Sequence, residues 1–176
     1  MKLLLTALVT SMMTFAAGDL TVGDRLPDLK GEYLTGREAV LPKAASGRVA
    51  LLLFGFSYDS RFDVEAWAKR FRADFDKSPQ VTFYELPMIG GMARLGKWFI
   101  DGGMRRGTPK ADHEHVITVY GGTGPWKQHL GVKAEDAAYL VVLDQKGTIA
   151  WMHSGPFEEA QYVALATQVR MLISQK

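Results

Sequence analysis

The side chains that could do chemistry in this chain fall into three groups. His113-Glu114-His115 carries two imidazoles with one residue between them. On a strand, alternate residues share a face, so both rings could converge on one metal ion, copper or zinc. Two nitrogens are too few for a tight site, and His129, His153 or a methionine sulfur suited to copper(I) would have to complete it. The turn Tyr58-Asp59-Ser60-Arg61-Phe62 sets a carboxylate just before a helical pattern. There Asp59 can cap the helix and sit at the positive end of its dipole. Its neighbours Phe56, Tyr58 and Phe62 are candidates for holding a partner. The third group is an apolar stripe of Met88, Met92, Leu95, Phe99 and Ile100, beside Trp98 and bordered by Arg94, Lys97, Arg105, Arg106 and Lys110. A basic amphipathic segment of this kind suits an anionic membrane surface or an apolar partner helix. Methionine adapts to variable partners. Trp98, Arg105 and Arg106 are its candidate contact residues.

One kind of chemistry is excluded outright. None of the 176 residues is cysteine. Disulfide exchange and peroxide reduction both need a thiolate, so neither is open to this chain. Gly121-Gly122-Thr123-Gly124 lacks the lysine of a phosphate loop and reads as a turn. No Ser/His/Asp set or carboxylate pair can be argued from spacing. No cofactor is implied, and the net charge of +2 implies no nucleic-acid partner.

The elements that must position these groups are legible from periodicity. Arg48 to Phe56 is an apolar run that suits a strand buried on both faces. Val64, Trp67, Phe71 and Phe75 then recur at helical spacing, with Asp59 or Ser60 as the natural N-cap. Val81 to Leu86 reads as a second central strand. Met92 to Arg106 reads as a helix interrupted by Gly102-Gly103, and Val116 to Tyr120 as a third strand. A helical turn is expected from Trp126 to Leu130. Tyr139–Leu143 and Thr148–Met152 form a hairpin across Asp144-Gln145-Lys146-Gly147, with glycine where a positive φ is wanted. Tyr162, Leu165, Val169 and Leu172 mark a final helix. Strands separated by helices pair in parallel, and the hairpin adds an antiparallel edge. The expected fold is α/β: a central mixed sheet between helical layers.

That order is the thioredoxin-like one. Val22-Gly23-Asp24-Arg25-Leu26-Pro27-Asp28 resembles the entry segment of the redoxin and TlpA-like families. The resemblance implies a three-layer α/β/α fold. It places Asp59 where those families carry the nucleophilic cysteine, Phe62 where they carry the resolving one, and Ala138 where they carry a cis-proline. Further on, Tyr84 to Ile89, Trp98 to Ile100, Gly103 to Pro109, His115, Leu130 to Val132, Tyr139 to Asp144, Gly147 to Trp151 and Ser154-Gly155 occur in order. This series is similar to the mitochondrial ATP synthase assembly-chaperone family, "assembly factor ten". It departs from that family at Ala150, where an arginine usually precedes the tryptophan. The resemblance implies a protein client, with a membrane-protein subunit as the candidate.

Residues 1–18 have a lysine, an apolar stretch from Leu3 to Ala17 and a small-residue end at Ala16-Ala17-Gly18, the composition of a secretory signal peptide. The expectation is a leader at 1–18 and one thioredoxin-like domain at 19–176, exported, most simply to a periplasm. The functional expectation is a redox-inactive binding or assembly protein. The alternatives are a periplasmic metal-binding protein using His113 and His115, or a redoxin-domain protein by descent alone.

Overall fold

Val49–Gly55 is apolar at every position but its last, glycine, and such a strand is stable only where both faces are covered. The computed structural model, which describes residues 19–175, places it inside the sheet between one parallel and one antiparallel neighbour. The expected leader lies outside the described residues. In chain order the elements are β1 (Leu29–Tyr33), β2 (Glu38–Leu41), β3 (Val49–Gly55), α1 (Ser60–Phe75), β4 (Val81–Ile89), α2 (Lys97–Gly107), β5 (Ile117–Tyr120), α3 (Thr123–His129), β6 (Ala138–Leu143), β7 (Ile149–Ser154) and α4 (Glu159–Ser174). Short 3-10 turns lie at Lys43–Ala45, Gly91–Gly96 and Lys110–Asp112.

The strands form one seven-stranded sheet in the order β2-β1-β5-β4-β3-β6-β7. β3, β4 and β5 run parallel, while β6 and β7 return antiparallel as the expected hairpin. Gly147 in its turn has φ +85°, as the turn requires. The β1–β2 hairpin extends the far edge, with β1 antiparallel to β5.

Alternation along β3 divides the core. Leu51 and Leu53 point toward α1 and α4, where Val64, Trp67, Phe71, Tyr162, Leu165 and Val169 close over them. Leu52 and Phe54 point to the other face, against Trp126 and Leu130 of the α3 region and Leu26 and Leu29 of the N-terminal segment. Phe54 stacks on Trp126 at 5.6 Å. The helical stripes read from sequence in α1 and α4 are the buried ones.

The segment before β1 is stitched to the start of β7. The Gly23 N–H donates to the Ile149 carbonyl and the Ile149 N–H to the Asp24 carbonyl, both at 2.8 Å, and Arg25 bridges Thr148.

Three local expectations change. The helix from Met92 to Arg106 is broken at Gly96, where a 3-10 turn ends and α2 begins, and it runs straight through Gly102-Gly103. Interior glycines weaken a helix by about 1 kcal/mol each without forbidding it. The helical turn expected from Trp126 starts earlier, at Thr123, behind left-handed Gly122 at φ +65°. His113 and His115 lie in a turn after the 3-10 segment, not on a strand, so alternate spacing no longer places them on one face.

A candidate docking edge at the ends of the parallel strands

Parallel strands finish at one edge of a sheet, and the loops leaving them gather there. In this chain β3 delivers the turn Phe56–Phe62, β4 delivers Gly90 to Leu95, and β5 delivers Gly121 to Pro125. β6 runs the other way, so its beginning joins them: Ala138 pairs with Gly55. The position expected for a proline therefore does lie beside the turn expected for a thiol. Alanine stands there, and the only cis peptide among the described residues is Leu41–Pro42.

The turn is built by serines. The Ser60 N–H donates to Ser57 Oγ at 3.1 Å, the Ser57 N–H to Ser60 Oγ at 3.3 Å, and Ser60 Oγ–H to the Ser57 carbonyl at 2.8 Å. Asp59 occupies the N-cap by backbone position, but its side chain makes no capping bond and is exposed. The expected carboxylate cap is thus replaced by a reciprocal serine pair, which satisfies the helix's first amide through Ser57. Asp59 is left facing solvent.

Below the turn, Phe56 is buried and meets the Tyr139 ring edge-on at 5.8 Å. It belongs to the core and is unavailable to a partner, contrary to the sequence expectation. The Tyr139 hydroxyl accepts from the Lys133 and Ala134 N–H groups and donates to the Ala134 carbonyl at 3.1 Å, holding the loop into β6. Phe56 and Tyr139 are the floor of the edge.

Above it, Tyr58 and Phe62 are 73% and 58% exposed. The Arg61 guanidinium lies 3.7 Å from the Tyr58 ring centroid and 4.5 Å from that of Phe62, so a cation clasps two surface aromatics. Arg61 was not singled out from sequence; its i+3 and i−1 spacing to two aromatics on a helix start was the available signal.

Further along the edge, Gly90, Gly91, Met92 and Leu95 face Gly121, Gly122, Thr123, Gly124 and Pro125 across a shallow groove of about 470 Å³. Gly90 allows this approach, because a Cβ there would stand 2.5 Å from Thr123 Oγ1. Met92 and Leu95 are exposed on its wall. The stripe read from sequence is therefore split: Met88 is buried in β4, and Met92, Leu95 and Phe99 face outward with Trp98.

That outward face follows from what seats α2. Its one buried residue is Asp101. The Asp101 carboxylate accepts from Lys97 Nζ at 2.7 Å and from the Tyr120 hydroxyl at 2.6 Å, while Lys97 also donates to Glu32 at 3.0 Å. Arg105 Nε donates to the Leu34 carbonyl at 2.6 Å. Burial works against the Lys97 ammonium, yet its bonds to Asp101 and Glu32 prevail and raise its pKa above the ordinary lysine value. Burial, then donation to Asp101, raises that of Tyr120. Arg105 is accordingly a tether, whereas Arg106 is exposed and makes no ion pair among the described residues.

The two histidines of the metal expectation go separate ways. A ring nitrogen of His113 bonds the Thr108 carbonyl and one of His115 bonds the Phe83 carbonyl, each at 3.0 Å. The His115 ring stacks on Phe83 at 4.3 Å. No group of three His, Cys, Asp or Glu side chains among the described residues could hold a metal ion.

No protein-family model matches the chain, and neither does any curated protein. Solved structures do. A Chlorobium tepidum protein assigned as thiol:disulfide interchange protein DsbE is 20% identical, with TM-score 0.62 over 89% of this chain and 100% of that one. The thioredoxin domain of a thiol-disulfide oxidoreductase from Bacteroides vulgatus is 17% identical, with TM-score 0.57 over 86% and 99%. The exposed lipoprotein thioredoxin Etrx1 of Streptococcus pneumoniae is 14% identical, with TM-score 0.56 over 82% and 99%. These likenesses establish a thioredoxin-like fold, here without cysteine. No helix among the described residues is long and apolar enough to cross a membrane.

Proposed function

We propose that this protein is a redox-silent binding or assembly factor that uses the carboxyl edge of its parallel strands to hold a protein client. The observation that carries the reading is the exposure of Tyr58 and Phe62, clasped by Arg61, at the start of α1 beside the Met92–Leu95 groove. Exposed aromatics grouped on a rigid scaffold mark interaction surfaces. Tyrosine and arginine are also residues that dominate binding energy when a partner covers them. The serine-capped turn and the Phe56–Tyr139 floor fix that surface in advance, which lowers the ordering cost of binding.

The client in this reading is a membrane-protein subunit, in keeping with the resemblance of the Tyr84 to Gly155 motifs to the ATP synthase assembly chaperones. Its compartment is exported and periplasmic. The composition of residues 1–18 supports this, as does a fold shared with an exposed lipoprotein thioredoxin.

Site-specific photo-crosslinking in cells tests the proposal. A benzophenone amino acid at Phe62 or Leu95 should trap one discrete membrane subunit. The same group at Val163, equally exposed on α4 but outside the Tyr58–Phe62 turn and the Met92–Leu95 groove, should trap none. Identical products from Phe62 and Val163, or none from Phe62 and Leu95, would end the reading.

A further inference from the structure

α2 is seated by its polar side, and that leaves its other side unexplained. Lys97, Asp101 and Arg105 point inward to Glu32, Tyr120 and the Leu34 carbonyl. Phe99, Gly103 and Arg106 follow one another on the opposite face of the helix. Trp98 is 79% exposed and meets Phe99 edge-on at 6.0 Å. With Met92 and Leu95 on the preceding 3-10 turn, four large apolar side chains project outward within eight residues.

Two further observations identify what this face suits. From Leu86 to Lys110 the only acidic residue is Asp101, against the basic Arg94, Lys97, Arg105, Arg106 and Lys110. Asp101 is buried and consumed by Lys97 and Tyr120, so this segment has no carboxylate of its own left to offset Arg106 and Lys110. The fold also has no steric need for glycine in mid-helix. A Cβ at Gly103 would meet nothing within 4 Å, and one at Gly102 only the Arg106 Nη1 at 3.6 Å. The helix backbone is bare on the side where aromatics and cations stand.

We propose that the outward face of Met92–Arg106 docks on an anionic lipid surface, with Trp98, Phe99, Leu95 and Met92 entering the interfacial layer and Arg106 and Lys110 paired with headgroups. An apolar face with tryptophan at the water boundary and basic residues at its rim fits that layer in both polarity and charge. The glycines let the helix axis lie close to the headgroup plane. A second copy of this chain fits less well, because two such faces would bring like charges together.

The absence of cysteine makes the test clean. A single cysteine replacing Phe99, or Leu95 as a second site, takes an environment-sensitive fluorophore at that position alone in the full chain. Met171 on α4 serves as the control site. Phosphatidylcholine vesicles containing phosphatidylglycerol should blue-shift the label at 99 and leave that at 171 unchanged. Pure phosphatidylcholine should give little shift. Arg106→Gln and Lys110→Gln should each weaken vesicle affinity about fivefold, less as salt rises. Attachment through residues 1–18 alone would bring the protein to vesicles without shifting the label at 99, and would overturn the proposal. So would an equal shift on uncharged vesicles, or a shift in the absence of lipid that depends on protein concentration. The vesicles contain no protein, so this outcome is independent of the client crosslinks at Phe62.

Discussion

The Tyr120 hydroxyl donates to Asp101 across 2.6 Å, joining the last residue of β5 to the middle of α2. Lys97 reaches the same carboxylate from one helical turn away. A helix whose apolar residues face solvent has little else to hold it. Asp101→Ala would strand the Tyr120 hydroxyl and part of the Lys97 charge. The expected loss is about 3 kcal/mol in urea denaturation. Cleavage by added protease should accelerate between Gly91 and Gly107 in particular, since that segment is the one released.

Glu85 gives the fold a distinctive pH response. It lies half-buried in β4 opposite Leu53, and burial pushes its carboxyl up to about 7, with Glu65 adding to the rise and Arg72 opposing it. Between the unfolded value of 4.5 and the folded value the native chain holds a proton that the unfolded chain has lost. Stability from this group therefore falls as pH rises through that window, and the cost is complete above it. Glu85→Gln should be nearly neutral at about pH 5 and stabilising by roughly 1–2 kcal/mol at about pH 8, after allowance for the solvent that reaches the carboxyl. Thermal melts of both proteins across the window read this directly, and parallel curves would refute it.

At the start of α1 the two residues named as caps should separate cleanly. Ser60→Ala removes the bond to the Ser57 N–H and the one to the Ser57 carbonyl in a fully buried position, at a cost of about 1–2 kcal/mol. Asp59→Ala should shift stability by less than about 0.5 kcal/mol, since the side chain makes no capping bond. Chemical denaturation of the pair tells them apart.

Gly103→Ala should stabilise the protein by about 0.5–1 kcal/mol. The site is mid-helix, its φ is not positive and nothing stands within 4 Å of the added methyl. A lower melting temperature in the variant would mean that α2 packs more closely than its geometry shows.

The sheet and the two helices over its α1 face were legible because their sequence patterns report burial. β3 is apolar throughout, and the stripes of α1 and α4 are buried as read. The orientation of α2 is less legible than its stripe. Periodicity shows that apolar residues share a side but not whether that side faces in. What faces that side outward is the set Glu32, Asp101 and Tyr120, drawn from three elements, and such a partnership is invisible along the chain. The same limit applies to the histidines: period-two spacing suggested a strand, while Pro109 and the 3-10 turn at Lys110–Asp112 impose another geometry. The cap was half legible, since Asp59 and Ser60 are equally good capping types and only the pairing of Ser60 with Ser57 decides between them. Gly90 and the glycine-lined groove depend on neighbours brought in by the fold, whereas both aromatic partners of Arg61 lie within three residues of it.

The bonds from Gly23 and Asp24 to Ile149 have a consequence for where this polypeptide can be shortened. β7 is a border strand, and the segment from Gly23 to Arg25 acts as its stopper. A version beginning after Pro27 would keep every strand and helix yet leave free amide and carbonyl groups on that border. Such a rim recruits other strands, so the trimmed protein should oligomerise edge to edge while the version starting at Asp19 stays dispersed.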